Sequence, residues 1–357
     1  MKKATLITLT AILSLAIAGA AAVGYVAYDF TQVAPSKDNS EVIFEVSPGD
    51  SFAVVAKGLE QQGLVRNGYV FSIYARLVNQ RSLLKRGEYG LRKDMTPKEV
   101  LAVITSGKSI AKPFTVAEGL NIYEIADLYE AQGFGRKKEF LELVRDPAFV
   151  KELLGESAPS LEGYLFPETY MITKFENVRD LIASMVRRFL AVYKEIGAES
   201  ALPSWSRNQV VTLASIIEKE TGAGTDRPLI SSVFHNRLLK KMKLQTDPTI
   251  IYGIADMTGI VPNNIRRDDI LKPSRYNTYV INALPPGPIS NPGRDAMMAA
   301  LKPAASKFLY FVSRNDGTTA FSESLDRHNS AVQKFQISPK AREGKSWRDL
   351  NKKPVTK

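Results

Sequence analysis

The sequence predicts an α+β protein: an N-terminal transmembrane helix, two related strand–helix modules, and a mixed α/β domain behind them. Three observations predict it. An uncharged apolar run opens the chain, a strand–turn–helix pattern occurs twice at a fixed interval, and the second half alternates helix-period stretches with loops rich in glycine and proline.

Lys2 and Lys3 precede an uncharged run over residues 4–28. Its 25 residues, at about 1.5 Å each, exceed the ~30 Å thickness of bilayer hydrocarbon. A cleaved signal peptide is the rival reading, because Ala18-Gly19-Ala20 and Ala20-Ala21-Ala22 imitate a small-residue cleavage site. The run outlasts a usual signal core and stays apolar through Val23, Tyr25, Val26 and Tyr28, which favours an uncleaved anchor. The two lysines and the amino terminus place the short leading stub in the cytoplasm and everything after Asp29 outside. Residues 1–30 are thus stub and anchor, and 31–40 a polar linker.

An internal repeat follows. F-E-V-S-P-G, starting at Phe44, recurs seventy positions later as F-T-V-A-E-G, starting at Phe114. The register holds through Ala56/Ala126, Leu59/Tyr129, Gln62/Gln132, Gly63/Gly133 and Leu64/Phe134. Each copy alternates like a strand, turns at a glycine, and continues as an amphipathic helix ended by Gly63 or Gly133. A second pair is E-Y-G-L (88–91) before a helix near 97–106, and T-Y-M-I (169–172) before one near 178–189. Residues 41–110 and 111–200 therefore read as two strand–helix–helix–strand units. The first, F-x-V-x-P-G-D-S with a helix behind it, resembles a LysM module, a small glycan-binding fold; a packing module without ligand is the plainer alternative.

Over 357 residues the formal charge is +11 and the pI about 9.5, which points to an anionic partner. No basic stretch interleaves aromatics as nucleic-acid binders do, so nucleic acid is not expected. Cysteine is absent, which excludes disulfides, thiol nucleophiles and thiolate metal sites. With His235 and His328 the only histidines, a histidine-centred triad or metal site has few ways to form, and no metal or cofactor is expected.

Residues 201–340 read as one domain and 341–357 as a disordered basic tail. Ahead of the domain, L-E-G-Y-L-F-P-E-T-Y (161–170) makes a poor regular element and a good groove wall. V-V-T-L-A-S-I-I-E-K-E-T-G (210–222) predicts a largely buried helix with Gly222 at its stop. Glu218 falls inside the apolar arc beside Val211 and the small Ala214, and Glu220 touches the arc on its other side. A carboxyl group there either finds partners or has its pKa raised by desolvation, as a general acid near neutral pH requires. Periodicity does not choose between the two glutamates, and a half-exposed, ion-paired helix end is the commoner outcome.

Arg227-Pro228 opens a further helix over 229–239 carrying His235, read as a satisfied helical histidine, and Asn236. L-Q-T-D-P-T-I-I-Y-G (244–253) projects Gln245, Thr246 and Asp247 from a loop. Residues 262–274 read as a polar connector. Y-N-T-Y (276–279) leads to L-P-P-G-P-I-S-N-P-G (284–293), whose prolines forbid helix or central strand and leave a rigid loop. Gly293 starts another helix reaching Leu301, and F-L-Y-F-V (308–312) reads as a short buried strand.

Six of these blocks, E-G-Y-L-F-P-E-T-Y (162–170), A-S-I-I-E-K-E-T (214–221), H-N-R-L (235–238), 244–253, 276–279 and 284–293, stand in the order found in one family. The chain resembles the membrane-anchored endolytic murein transglycosylases, the MltG or YceG-like family. The resemblance implies cleavage of the MurNAc–GlcNAc β-1,4 bond inside nascent peptidoglycan strands, and makes the 201–340 domain catalytic. It implies that Glu218, the first glutamate of I-I-E-K-E, is the catalytic acid. Gln245, Thr246, Asp247, Asn236 and Asn291 are the candidates for holding the sugar, with Tyr164, Tyr252, Tyr276 and Tyr279 stacking on its faces. The implied partners are glycan strands, the bacterial cytoplasmic membrane and peptidoglycan synthases. Two other classes stay open: a water-using muramidase with Asp247 or Glu162 as second carboxylate, and a non-catalytic wall-binding scaffold.

Overall fold

Helix α1 (Lys2–Gln32) is long and apolar enough, over Leu13–Gln32, to cross a membrane. Leu15, Val23 and Tyr25 on it are exposed rather than packed, which suits a helix solvated by lipid. The computed structural model describes residues 2–198 and 204–338, with side chains from residue 13 onward. The basic tail expected over 341–357, and the boundary expected between 200 and 201, lie outside the described residues.

The chain divides into two units, residues 1–113 with 171–176, and residues 114–170 with 177–357. The first holds β1 (Glu41–Val46), α2 (Phe52–Gln61), α3 (Gly68–Leu77), β2 (Gly87–Arg92) and α4 (Pro97–Ser106). β1 runs antiparallel to β2, Glu41 opposite Arg92 and Val46 opposite Gly87. Alternation along β1 turns Phe44 and Val46 inward, where they meet Val55, Leu59, Phe71, Leu91 and Ile104 in a closed core. Ser51, Asn67 and Thr96 cap the three helices through side-chain bonds to Val54, Val70 and Glu99 backbone N–H groups.

The remaining chain carries β3 (Ala111–Thr115), α5 (Ile122–Ala131), α6 (Lys137–Arg145), α7 (Pro147–Leu154), β4 (Thr169–Thr173) and α8 (Val178–Glu195). Then come α9 (Arg207–Glu220), α10 (Arg227–Leu239), α11 (Asp247–Thr258), α12 (Arg267–Leu271) and α13 (Arg294–Leu301). A hairpin of β5 (Tyr310–Ser313) and β6 (Thr319–Ser322) and helix α14 (Leu325–Val332) complete it. β3 pairs with β4, and β5 runs antiparallel to β6, so every sheet is two-stranded among the described residues. The fold is mixed helix and sheet.

The repeat has a geometric counterpart. Seventy positions apart, Phe44 and Phe114 are both buried, and Ser51 and Asn121 both cap the helix that follows. Gln62 and Gln132 end those helices, and Gly63 (φ 70°) and Gly133 (φ 75°) then adopt the left-handed backbone that glycine takes without strain. A strand–helix–helix–strand order results in both copies, the second lengthened by α7.

Several expectations need correction. Residues 161–165 are buried, because Leu161, Glu162, Tyr164 and Leu165 face the interior, so this segment is core and not a groove wall. The loop expected over 244–253 gives way at Asp247 to α11, whose first turn accommodates Pro248. Gly222 is no left-handed stop: α9 ends because Thr221 turns extended (φ −89°, ψ 115°). The strand expected over 308–312 is shifted to Tyr310–Ser313 and only half-buried, and the connector over 262–274 contains α12.

Candidate active site

Helix α9 organises the second unit. Ser206 and Gln209 form a capping box at its start, and every residue from Val210 to Ile217 is buried. Two of these are polar and bonded. Thr212 Oγ1 donates to Asn208 O (2.6 Å), while Ser215 Oγ donates to Thr212 O (2.7 Å) and accepts Ile289 N–H (3.0 Å). The proline-rich loop is thereby docked on the helix. The last turn leaves the core carrying Glu218, Lys219 and Glu220, and its two carboxylates meet different surroundings.

Glu218 is largely enclosed, its side chain 7% exposed, and each of its oxygens accepts one hydrogen bond. Arg227 Nη2 donates to Oε1 at 3.0 Å and Gly293 N–H donates to Oε2 at 3.0 Å. Arg227 also lies 3.7 Å from Glu118 and 3.8 Å from Asp295. Burial raises the Glu118 pKa, with the Glu218 charge adding to it and Arg227 opposing. A Cβ at Gly293 would meet the Glu118 carboxylate and require that side chain to shift. Lys219 Nζ donates to Gly119 O (3.2 Å). This is a clasp joining α9, α10 and the start of α13.

Glu220 lies on the other side, lining a cleft of about 660 Å³ with Arg237, Leu244, Gln245, Asp247, Pro248, Tyr279 and residues of β5 and α14. Thr246 Oγ1 donates to Glu220 Oε1. Desolvation pushes the Glu220 carboxyl up to about 7; the Thr246 bond and Arg237 oppose the rise and Asp247 adds to it. Within the cleft Tyr279 OH donates to Asp247 Oδ1 at 2.7 Å. Gln245 takes a left-handed backbone (φ 51°) and is held by Thr278, whose carbonyl accepts its N–H (3.2 Å). Thr246 is buried, its N–H bonded to Thr278 Oγ1 (3.0 Å) and its carbonyl accepting from Thr249 Oγ1 (2.6 Å).

Gln245, Thr246, Asp247 and Tyr279 thus gather around Glu220, and the other candidates do not. Asn236 Nδ2 donates to the carbonyls of Ser306 (2.9 Å) and Phe308 (3.0 Å), bracing the loop before β5. Asn291 is fully buried: its Oδ1 accepts Leu165 N–H (2.9 Å), and its Nδ2 donates to Leu120 O (2.9 Å) and Glu162 Oε1 (3.1 Å). Tyr164 is buried edge-on against Phe189 at 5.0 Å, and Tyr252 and Tyr276 pack edge-on at 4.8 Å. None of these rings offers a face to a sugar. Glu162 also lies away from the cleft, buried and accepting Ile122 N–H (3.0 Å), and desolvation raises its carboxyl to about 8. His235 Nε2 donates to Ala300 O (2.9 Å), as a satisfied helical histidine.

Arg237, Tyr310 and His328 belong to the cleft and were not anticipated. Arg237 donates to the carbonyls of Leu309 (2.7 Å) and Leu244 (2.8 Å) with its guanidinium 5.2 Å from the Tyr310 ring centre. His328 stacks on Tyr310 at 5.2 Å, and burial lowers its pKa, with Arg237 adding. Arg237 stands inside H-N-R-L, which was the available signal. Tyr310 and His328 sit in separate elements whose meeting no local pattern encodes.

Known proteins share this arrangement of sequence. The model of the YceG-like family matches residues 44–334. A relative from Bacillus subtilis (strain 168), named endolytic murein transglycosylase, is 31% identical over 315 residues, spanning 84% of this chain and 86% of that protein. One of the same name from Streptococcus pneumoniae serotype 2 (strain D39) is 30% identical over 366 residues. That match spans 92% of this chain but 65% of the pneumococcal protein, which is therefore substantially longer. Among solved structures, the crystal structure of a yceG-like protein from Listeria monocytogenes is 34% identical, covers 82% of this chain and 99% of that one, and superposes with a TM-score of 0.55.

Proposed function

Because the chain belongs to the YceG-like family, we propose that it is an endolytic lytic transglycosylase of peptidoglycan in which Glu220 moves the proton. The relatives' shared name supports the reaction class. The single observation that carries the assignment to Glu220 is a carboxyl raised to about 7 on the wall of an open cleft. Glu218, which the family resemblance singles out, is the rival acid: Arg227 and the Gly293 N–H each donate to one of its oxygens, and each oxygen keeps a further lone pair.

Most glycosidases flank the scissile bond with two carboxylates. A single one suffices when the substrate supplies its own nucleophile. Glu220 gives its proton to the bridging oxygen as the MurNAc C1–O bond breaks. The muramoyl C6 hydroxyl then bonds to C1 and returns its proton to the same carboxylate, closing a 1,6-anhydro ring without consuming water. The carboxyl must start protonated, which desolvation favours. Tyr279, Asp247 and Gln245 are proposed to hold the sugars, and Thr246 to hold Glu220 in place. Helix α1 anchors the chain in the cytoplasmic membrane with the cleft outside, where glycan strands and peptidoglycan synthases are the neighbours.

A second reading has a specific observation behind it: Asp247 shares the cleft and could activate water as a second carboxylate. Incubating the full chain with glycan strands and weighing the fragments by mass spectrometry separates the two. Anhydro-muramic ends support the transglycosylase, reducing ends the muramidase, and intact strands that remain bound would leave a wall-binding scaffold.

A further inference from the structure

Helix α3 leaves an apolar stripe without a protein partner among the described residues. Its inward side is set by Gly68, Phe71 and Ala75. On the other side Tyr69, Ile73 and Leu77 follow at a spacing of four and are 76%, 42% and 77% exposed, with Val70 and Val78 beside them. Scattered apolar side chains are ordinary on a surface, but a contiguous stripe with a basic rim marks a contact. The helix contains no acidic residue and carries Arg76; Arg81 lines the grooves on both its flanks, with Lys57 and Glu60 in one and Asp50 in the other.

Position identifies what covers the stripe. Arg66, two residues before α3, holds the end of α1: its Nη1 donates to Asp29 Oδ2 (2.8 Å) and its Nη2 to Val33 O (3.2 Å). Asp29 is the first charged residue after the apolar run, the point where a span leaves hydrocarbon. The short stretch beyond is fastened to the same unit, through Ser36 N–H to Lys93 O (3.2 Å) and the Lys93–Asp38 pair (3.5 Å), and Phe30 packs on the unit's core. A ten-residue helix is only about 15 Å long. All of α3 therefore stays close to the membrane exit.

We infer that α3 lies on the outer face of the bilayer that α1 crosses. Tyr69, Ile73 and Leu77 enter the headgroup–acyl boundary, and Arg76, Arg81 and Lys57 meet the phosphates of anionic lipid. Tyrosine suits that depth because one end of its ring is apolar and the other wet. The inference rests on α1 being the anchor.

The absence of cysteine lets single-cysteine variants carry an environment-sensitive fluorophore. The full chain bearing Tyr69→Cys, Leu77→Cys or, as reference, Val23→Cys is reconstituted into phosphatidylcholine–phosphatidylglycerol vesicles, with and without brominated acyl chains. The label at 69 and 77 should emit as from an apolar site and be quenched by brominated lipid, roughly half as strongly as at 23, since interfacial helices sit about 5–10 Å into the boundary. Adding Arg76→Glu and Arg81→Glu to Leu77→Cys should return its emission to the aqueous value. Quenching at 23 with water-like emission at 69 and 77 overturns the docking and leaves the anchor standing. Apolar emission at 77 without lipid quenching also overturns it, since a second copy then covers the stripe. No quenching at 23 removes the anchor itself, and the docking with it.

Discussion

The last turn of α9 presents two carboxylates two residues apart, and their surroundings differ in kind. Around Glu218 both oxygens are engaged: a guanidinium and a backbone N–H each donate to one, and a second and third acid crowd the same arginine. Around Glu220 there is a hydroxyl donor on one side and open cleft on the other. One region binds α9 to its neighbours, and the other sets a carboxyl raised to about 7 beside a cleft. Burial alone does not distinguish a structural carboxylate from a catalytic one. On the reading proposed above, the donors aimed at each carboxylate make the difference.

Paired substitutions break or sharpen this comparison. Glu220→Gln removes only the transferable proton and should lower fragment release by a factor on the order of 10² or more, with an unchanged melting transition. Glu218→Gln should do the reverse. It removes the nearest of the three carboxylates around Arg227, leaving Glu118 and Asp295, and should cost about 1–3 kcal/mol of stability in denaturant titrations, with turnover per folded molecule falling less than tenfold. A dead but fully stable Glu218→Gln enzyme would refute the assignment. Tyr279→Phe deletes the hydroxyl that Asp247 accepts, worth about 1 kcal/mol, and should raise KM severalfold with little change in kcat if Tyr279 only shapes the sugar site.

The smallest effect concerns pH. The Glu220 carboxyl is raised from its ordinary 4.5 to about 7 in the folded chain, so the acid form is present below about 7 and activity should fall as pH rises through that value. The sign for stability is the same: the raised pKa means that the folded state holds the proton more tightly, so this group's contribution is full below about 4.5 and lost between there and 7. Thr246→Val deletes a hydrogen bond that favours the charged form, so the alkaline limb of the rate profile should move upward. A downward movement would show that Thr246 does not govern the acid.

Much of this was legible in the sequence. The long apolar N-terminal helix, the repeat with its glycine turns, the buried helix α9 and the helix starting after Gly293 are all local patterns, and local patterns fix element type. The choice between the glutamates was not local. Glu218 falls inside one apolar arc and Glu220 touches its other side, and their partners differ because Arg227 and Gly293 pack near the first and Thr246 near the second. The tyrosines failed for a related reason. Tyr164, Tyr252 and Tyr276 have the composition of a sugar platform, yet each ring is packed against another aromatic inside the core, and residue type does not report burial. Asn291 looked like a polar hand for the substrate because its loop is rigid. The loop is rigid because Asn291 is spent holding it.

That asparagine also governs the order in which the chain can be completed. Its side chain and N–H join Leu120, Glu162 and Leu165, partners 126 to 171 positions earlier in the chain. On the topology proposed above, the polypeptide emerges across the membrane from its N-terminal end. The first unit's β1–α4 core can close as soon as its own residues emerge, whereas the second must wait for the proline-rich loop. Until residue 291 arrives, the buried acid Glu162 lacks one of its donors and α9 has no cover along Ser215. While residues between α9 and the proline-rich loop emerge, a growing chain of this design leaves the Ser215 side of its central helix uncovered, a state of long sequence separation in which contacts form late and apolar surface is open to capture by folding helpers or proteases.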